Sequence, residues 1–475
     1  MNVAFLPSAY RTIFFGGVAE RLEVSGHKVF WISPNLRWAR WLRQSGVQPD
    51  RILDLAHYGP EWSRQSDSVD AEVILAGLER DGRLTANDIL LMDKFLHGRR
   101  DRSYALRYLA VCAERIRHFV TAHGVGAVFG EQTWAFELVS GQVCRGLGIP
   151  VLNPMTVRIP FDRFAFFRGH QVDQMLRLGT STAADEHAAA ELVSQYRERR
   201  PQPSGLFGNR EVLEFNAGRL SLLARHVWSL RGDRHDETSR RPMGLISDHA
   251  GRWWRRRRNR LMRTAIFEFP DPNGVRPFVL FLLHVQPEAT IDVMAARTAN
   301  QVEIIRGLSR TLPVGYDLYV KEHEPALIWR TMRFYREIKS IPAVRLIDYR
   351  VSSLDLIDRA ELTITITGTG AYEAAVLGKR AATIGPVFFE RIAALKRFDE
   401  RRMSVGEALN QSAPQSDSVV TDFLAGVLAN SWSGIVGDAL WSPASMDAGN
   451  LDSVAEGFGA AIGALAAPAG EGIWV

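Results

Sequence analysis

The chain has 475 residues, too many for one ordinary core, so two or three domains are expected. Hydrophobic residues make up 46% and charged residues 23%, a globular balance, and no run approaches the roughly 18 apolar residues that span a bilayer. The net charge of +5 is uneven: residues 196–265 hold 17 Arg and 7 Asp plus Glu, a local +10 that leaves −5 for the rest, which suits one segment to an anionic partner.

The opening "MNVAFLPSAYRTIFFGG" has no basic region followed by an apolar one, so no signal peptide is expected. "NVAFLP" reads as a strand and "FFGG" as a glycine loop in which Gly16 and Gly17 could let an acceptor approach. "VAERLEVSG" reads as a short helix closed by Gly26, and "HKVFWIS" as a second strand. This βαβ pattern favours a parallel sheet. Residues 68–123 read as mostly helical, and Cys112 within them and Cys144 beyond match no metal spacing, which points to a reduced, cytoplasmic setting. "VGAVFGE", "QTWAFELVSGQVCRGLG" and "IPVLNP" continue as strand, helix and strand. A first Rossmann-like domain, the acceptor side, is drawn at 1–179.

Residues 180–270 lose the alternation and are expected to form a basic, largely helical connector. Its densest run, "RWWRRRRNR" (252–260), holds six arginines and two tryptophans. Trp253, Trp254, Arg255, Arg256, Arg257 and Arg258 suit anionic lipid headgroups or an anionic acceptor, with a solvated helix face as the alternative. Nucleic acid is not expected, because no recognition fold surrounds the run. At 278–285 "FVLFLLHV" restarts the α/β pattern as a strand buried on both faces. A long helix is predicted at about 291–311, with Ile291, Met294, Ala295, Val302, Ile305 and Leu308 on one face. Strands and helices then alternate to "RAATIG", giving a second Rossmann-like domain at 271–400, with a helical segment and a loose tail at 401–475. Two such domains facing a cleft, joined by a helical basic connector, resemble the GT-B glycosyltransferase architecture.

In an open parallel sheet, ligands bind beyond the C-terminal strand ends. "TITGTGAYEAAVLGKR" (365–380) places Thr367, Gly368, Thr369 and Gly370 there, ahead of a helix whose free N–H groups favour an anion. The alternative is a tight turn that needs small residues. Glu373, a turn further on, could accept from ribose hydroxyls or merely complement the helix dipole. Ser352 and Ser353 open another helix, as a cap or as phosphate ligands. His323 follows a strand, flanked by Lys321 and Glu324, and could donate to a phosphate oxygen and stabilise a departing nucleotide. Gln286 and Glu288 lie at the end of the first strand of this domain. In the first domain Glu131 follows a strand directly, as nucleophile or base of glycosyl transfer or as a helix cap, while Glu137 is expected on a helix surface. No DxD, HExxH, paired CxxC or GxSxG occurs, so a metal-dependent sugar transferase of the GT-A kind and a serine hydrolase lose support.

Taken together, "HVQPEAT", "LYVKEHEPALIWRTMRFYREIKSIPAVRLID" and "SSLDLIDRAELTITITGTGAYEAAVLGKRAATIG", in that order, resemble the bacterial capsule polysaccharide synthesis family, which includes retaining β-Kdo glycosyltransferases. The resemblance covers about 277–390; earlier residues match in architecture and in "GEQTWAFE". It implies a GT-B enzyme of cell-surface polysaccharide synthesis, with a nucleotide-sugar donor (CMP-Kdo in the Kdo-transferring members) bound by the second domain. It implies no metal or resident cofactor and a glycolipid or polysaccharide acceptor, while the cysteine usage and the basic run suit a cytoplasmic enzyme peripheral to the inner membrane. His323 matches the family's histidine, although "HEP" replaces the usual adjacent histidine and proline. The alternatives are a UDP-sugar enzyme of the same architecture, transferase or epimerase, and a non-catalytic assembly protein.

Overall fold

The computed structural model describes residues 1–63, 70–93, 96, 101–200, 233, 235–238, 242–270 and 276–466, with backbone alone for 242–246. The helical character expected of 201–232 and the end of the tail, 467–475, lie outside the described residues. Two sheets organise the chain. The first has the order β12-β6-β5-β4-β1-β2-β3, with β1 (Asn2–Phe5), β2 (Lys28–Ser33), β3 (Ile52–Asp54), β4 (Ala127–Phe129) and β5 (Val151–Thr156) mutually parallel. β6 (Arg163–Arg168) and β12 (Trp432–Ser433) extend one edge antiparallel. The second sheet is wholly parallel, in the order β11-β10-β7-β8-β9: β7 (Phe278–Leu282), β8 (Asp317–Lys321), β9 (Val344–Ile347), β10 (Leu362–Thr365) and β11 (Ala381–Thr383). In both parallel sets the first three strands grow one way and the fourth returns to the free side of the first, which is the doubly wound 3-2-1-4-5 order and creates a crevice at each carboxyl edge. The architecture is therefore α/β and GT-B-like, with two Rossmann-like domains.

The helices of the first domain are α1 (Arg11–Val24), α2 (Leu36–Gln44), α3 (Gly59–Ser63), α4 (Ala71–Asp81), α5 (Ala86–Met92), α6 (Arg102–Ala122) and α7 (Ala135–Gly146). Asn35 starts α2 as its N-cap, its side-chain oxygen accepting from the Trp38 N–H at 3.1 Å, a contact worth about 1 kcal/mol. α8 (Ala183–Arg199), α9 (Pro242–Leu261) and α10 (Arg263–Ile266) follow. Around the second sheet lie α11 (Ala289–Asp292), α12 (Gln301–Arg310), α13 (Met332–Lys339), α14 (Ser353–Arg359) and α15 (Thr369–Val376). α16 (Val405–Gln411), α17 (Asp417–Ala429) and α18 (Ala448–Ala466) complete the chain.

Several local expectations change. The single long helix at 291–311 is two, because Asn300 caps α12 by accepting from the Glu303 N–H; Ile291, Met294, Ala295, Val302, Ile305 and Leu308 are nonetheless all buried. α1 starts at Arg11 and runs through Gly16 and Gly17, so these glycines are helical and not a loop. The stretch expected to be a loose tail is, as far as residue 466, the buried helix α18. Leu451, Val454, Phe458 and Ile462 of α18 join Phe5, Phe15 and Phe129 in the core of the first sheet. α8 packs on α17 and α15 of the second domain through Val193 and Tyr196, so the segment after 180 does not hang free between the domains.

Candidate functional site at the facing sheet edges

The second crevice opens between β7 and β10. Beyond β7 comes His284; beyond β10 come Thr367 and Gly368, the N-cap of α15. The Thr367 N–H donates to His284 Nε2 at 3.2 Å, which assigns the neutral imidazole its proton on Nδ1. Glycines are required by close approach: a Cβ on Gly368 would stand 2.9 Å from His284 Nε2, and one on Gly370 would stand 2.1 Å from Leu282 Cδ1. The N–H groups of Gly368, Thr369 and Gly370 have no acceptor among the described residues, and with the α15 dipole they form an anion-binding end. Thr367 itself is engaged, its hydroxyl donating to the Thr290 carbonyl at 2.8 Å. It shapes the turn, so the expectation that it offers groups to a phosphate is corrected.

His323 follows β8 and starts a short turn at Glu324–Ile328. Burial, then the Lys321 charge, lowers its pKa to about 4; burial, then Arg158, lowers that of His284 to about 3, with His323 acting in the same direction. Both rings are therefore neutral donor–acceptor groups at pH 7. Behind them a buried ion pair braces the two strand ends. Arg330 Nε donates to Glu322 at 3.2 Å and Arg330 Nη2 to the His284 carbonyl at 2.5 Å, while Glu322 accepts from the His323 N–H at 2.8 Å and from Tyr335 at 2.9 Å.

Lys321 is buried and donates to the carbonyls of Glu322 and Tyr349, so it contributes charge more than a free ammonium; burial lowers its pKa to about 8. Glu373 is buried too. Desolvation raises its pKa to about 7, opposed by a hydrogen bond from Tyr196 of α8 and by the Lys321 charge. Ser352 caps α14, its hydroxyl accepting from the Asp355 N–H at 3.3 Å, and Ser353 is half-buried beside it. Gln286 is engaged within the second domain. Its Nε2 donates to Asp292 at 2.8 Å and its Oε1 accepts from Gln301 at 3.1 Å, so it holds α11 in place. Glu288 is half-buried at the start of α11 and acts electrostatically on Arg158.

In the first domain Glu131 lies just past β4 and pairs with Arg11, the first residue of α1, at a quarter of its exposed area. Glu137 departs from the expected helix surface: it is fully buried and caps α7, accepting from the N–H groups of Thr133 and Trp134 at 2.7 and 2.9 Å. Burial raises its pKa to about 8. Gly16 and Gly17 are corrected as open approach points, because Gly17 packs on Leu451 of α18 and Gly16 on the Trp41 ring.

The two edges meet. Arg158, in the loop after β5 and with φ +70°, donates from Nη1 to the Thr367 carbonyl at 2.8 Å; the Tyr372 hydroxyl donates back to the Ile159 carbonyl at 3.3 Å. Burial lowers the Arg158 pKa to about 10, so it stays a cation at the glycine turn. Neither Arg158 nor His284 was singled out in the sequence. The strand-end logic that selected His323 applies equally to His284, whereas nothing in "TVRIPFD" marks Arg158.

α9 lies against the turn that follows His323. Arg255 donates to the Ile328 carbonyl at 2.8 Å, Arg258 to that of Arg330 at 3.2 Å, and buried Asn259 to that of Leu327 at 2.8 Å. Arg256 and Arg260 reach Glu324 at 3.9 and 2.8 Å. Arg255, Arg256 and Arg258 are thus packed on the second domain, not displayed for a partner. Trp253, Trp254 and Arg257 face outward, the tryptophans 43% and 57% exposed. Among the described residues no helix is long and apolar enough to cross a membrane, and no His, Cys, Asp and Glu cluster could hold a metal.

Two doubly wound domains, joined carboxyl edge to carboxyl edge, define the chain as a GT-B-like α/β protein. No protein-family model matches it, and no curated protein does. Among solved structures it is similar to KpsC of Thermosulfurimonas dismutans, a β-Kdo 2,7 transferase, at 11% identity over 68% of this chain and 82% of that one, with TM-score 0.32. It is similar also to a UDP-GlcNAc 2-epimerase of Methanocaldococcus jannaschii in complex with UDP-GlcNAc and UDP (11% identity, 90% and 99%, TM-score 0.29). A glycosyltransferase of Rickettsia africae aligns at 9% identity (98% and 94%, TM-score 0.24). These are distant likenesses, and the strand orders above define the fold without them.

Proposed function

We propose that the chain is a metal-independent GT-B glycosyltransferase of capsule or other cell-surface polysaccharide synthesis, transferring Kdo from CMP-Kdo to a glycolipid or glycan. The observation that carries this reading is the pairing of an anion-binding end, Gly368–Gly370 beside His284 and His323, with a carboxylate, Glu131, at the carboxyl edge of the other sheet. The donor phosphate sits on the open N–H groups, within the fields of Lys321 and Arg158, and Glu373 accepts from the ribose. When the bond from the anomeric carbon to the phosphate oxygen breaks, the electron pair leaves on the phosphate. Neutral His323 supplies an N–H to that charge. Glu131 acts either as the base that takes the acceptor hydroxyl proton or as the nucleophile that forms an intermediate later released to the acceptor.

The test is product analysis after incubation with a panel of CMP- and UDP-sugars and lipid acceptors. Transfer from CMP-Kdo, abolished in His323→Ala and Glu131→Ala proteins of unchanged circular dichroism, is expected. Full activity in both variants rejects the residue assignment. Thermal stabilisation by UDP ligands alone rejects CMP-Kdo in favour of a UDP-sugar enzyme.

A further inference from the structure

A well-formed cavity lies outside the donor crevice. It is a groove of about 280 Å³ on the first domain, between the start of α1 and the outer face of α2. Its walls include three aromatic residues, Tyr10, Trp38 and Trp41, and two arginines, Arg37 and Arg40, with Gln44 at one end. Arg37 lies 5.1 Å from the centroid of Tyr10 and 4.8 Å from that of Trp38, and donates to the Tyr10 hydroxyl at 3.0 Å, so one cation rests against two rings that themselves meet edge to face at 5.4 Å. Arg40 is exposed and has no partner among the described residues. The carboxylate on this wall, Asp233, accepts from the Leu36 N–H at 2.6 Å, which turns it to the end of α2. Gly16 explains the shape: a Cβ there would lie 3.0 Å from Trp41 Cη2, so the glycine lets the indole rest against α1.

The groove leads towards the proposed chemistry. A smaller cavity of about 70 Å³ shares Tyr10, Arg37 and Trp38 with it and continues to Ser8 and Trp134, which are joined by a 3.1 Å hydrogen bond. Ser8 is three residues before Arg11, and Trp134 is three residues after Glu131, so the inner end of the groove is built from the two segments that carry the Arg11–Glu131 pair.

We propose that this groove binds the acceptor and that the acceptor is an acidic glycan. This rests on the glycosyltransferase reading of the crevice. The C–H faces of sugar rings pack on aromatic faces, and amide and phenol groups meet hydroxyls. Planar guanidinium groups pair with a carboxylate or phosphate on the sugar. The volume is near the roughly 300 Å³ lower end of small-molecule sites, so the groove holds the terminal residues of the glycan and leaves the remainder in solvent.

The test is titration of the full chain with trigalacturonate, its methyl ester, inorganic phosphate and a decathymidylate oligonucleotide, read by tryptophan fluorescence and calorimetry. Trigalacturonate is expected to bind at least about tenfold more tightly than its ester. Trp41→Ala and, independently, the exposed Arg40→Ala are each expected to weaken it about tenfold, the size of one lost stacking or charged contact. Gly16→Ala is expected to weaken it as well, by pressing on the Trp41 ring. Equal binding of acid and ester, absence of binding to both, or Arg40→Ala and Trp41→Ala proteins that bind like wild type overturns the proposal. Binding of phosphate alone, or tighter Trp41-dependent binding of the oligonucleotide, overturns the ligand class. CMP and UDP titrations of the same proteins separate the two levels. Retained nucleotide binding with an unresponsive groove removes the acceptor site only, while loss of all nucleotide binding by wild type removes the glycosyltransferase reading.

Discussion

Arg158 of the first domain donates a 2.8 Å hydrogen bond to the carbonyl of Thr367 in the second, and so touches the turn whose N–H groups form the anion-binding end. The same peptide segment thus joins the domains and, in the proposed function, holds the donor. Removal of a charged hydrogen bond costs about 1.5–3 kcal/mol. Arg158→Ala is therefore expected to loosen the docking of the domains, seen as a larger radius of gyration in solution scattering, and to weaken nucleotide affinity about tenfold or more. Arg158→Lys keeps the charge and is expected to recover part of the affinity. Unchanged scattering and affinity in Arg158→Ala would show that the contact is incidental.

The Glu322–Arg330 pair, 0% and 5% exposed, ties the ends of β7 and β8 beneath the two histidines. Taking one partner from a buried pair leaves a buried charge and costs about 3–5 kcal/mol. Arg330→Ala is expected to lower the urea midpoint accordingly with little change in slope. A loss below about 1 kcal/mol would mean that water replaces the guanidinium.

His284 predicts a pH effect whose sign follows from its depressed pKa. The folded ring titrates near 3 and an unfolded histidine near 6.5, so the unfolded chain binds the extra proton between these values. Stability through this group is complete above about pH 6.5 and falls by about 1.4 kcal/mol per unit as pH drops towards 3. Glu137 and Glu373, with raised pKa values near 8 and 7, act in the opposite sense between about pH 4.5 and those values. The contribution of His284 is therefore measured as a difference: wild type is expected to lose stability relative to His284→Asn as pH falls from 6.5 to 5. Parallel pH profiles would place the His284 pKa near its ordinary value.

The outward side of α9 carries Trp253, Trp254 and Arg257, while Arg255, Arg256 and Arg258 grip the turn after His323. If this side meets an anionic membrane, Trp253→Ala/Trp254→Ala is expected to lower binding to phosphatidylglycerol vesicles about tenfold, and salt to weaken wild-type binding. Arg255→Ala is expected instead to lower thermal stability, because it removes a contact within the protein. Vesicle binding unaffected by the tryptophan pair would leave α9 a purely structural clamp.

Much of the second domain is legible from local pattern alone. Short continuous apolar runs such as "FVLFLLHV", of strand length and bounded by turn signals, read as strands covered on both faces, and their alternation with amphipathic helices implies a parallel sheet whose carboxyl edge gathers His323 and the glycine turn. Helix caps such as Ser352 follow from the same short-range chemistry. What local pattern cannot convey is which surface a residue meets. Gly16 and Gly17 look like a loop, yet long-range packing against Trp41 and Leu451 keeps them inside α1. The apparently loose tail is buried because α18 finds the aromatic face of the first sheet, where Phe5 and Phe15 lie more than 400 residues earlier in the chain and Phe129 and Phe166 about 300. Arg158 and Thr367, 209 positions apart, meet only because two separately determined sheets dock edge to edge. Periodicity, caps such as Ser352 and the alternating α/β class were readable locally, since these depend on neighbours within a few turns, whereas the caps at Asn300 and Glu137 were not. Which arginines are packed, which carboxylates are buried and which groups face one another across the crevice were decided only by the tertiary structure, because burial and charge pairing depend on contacts between distant segments.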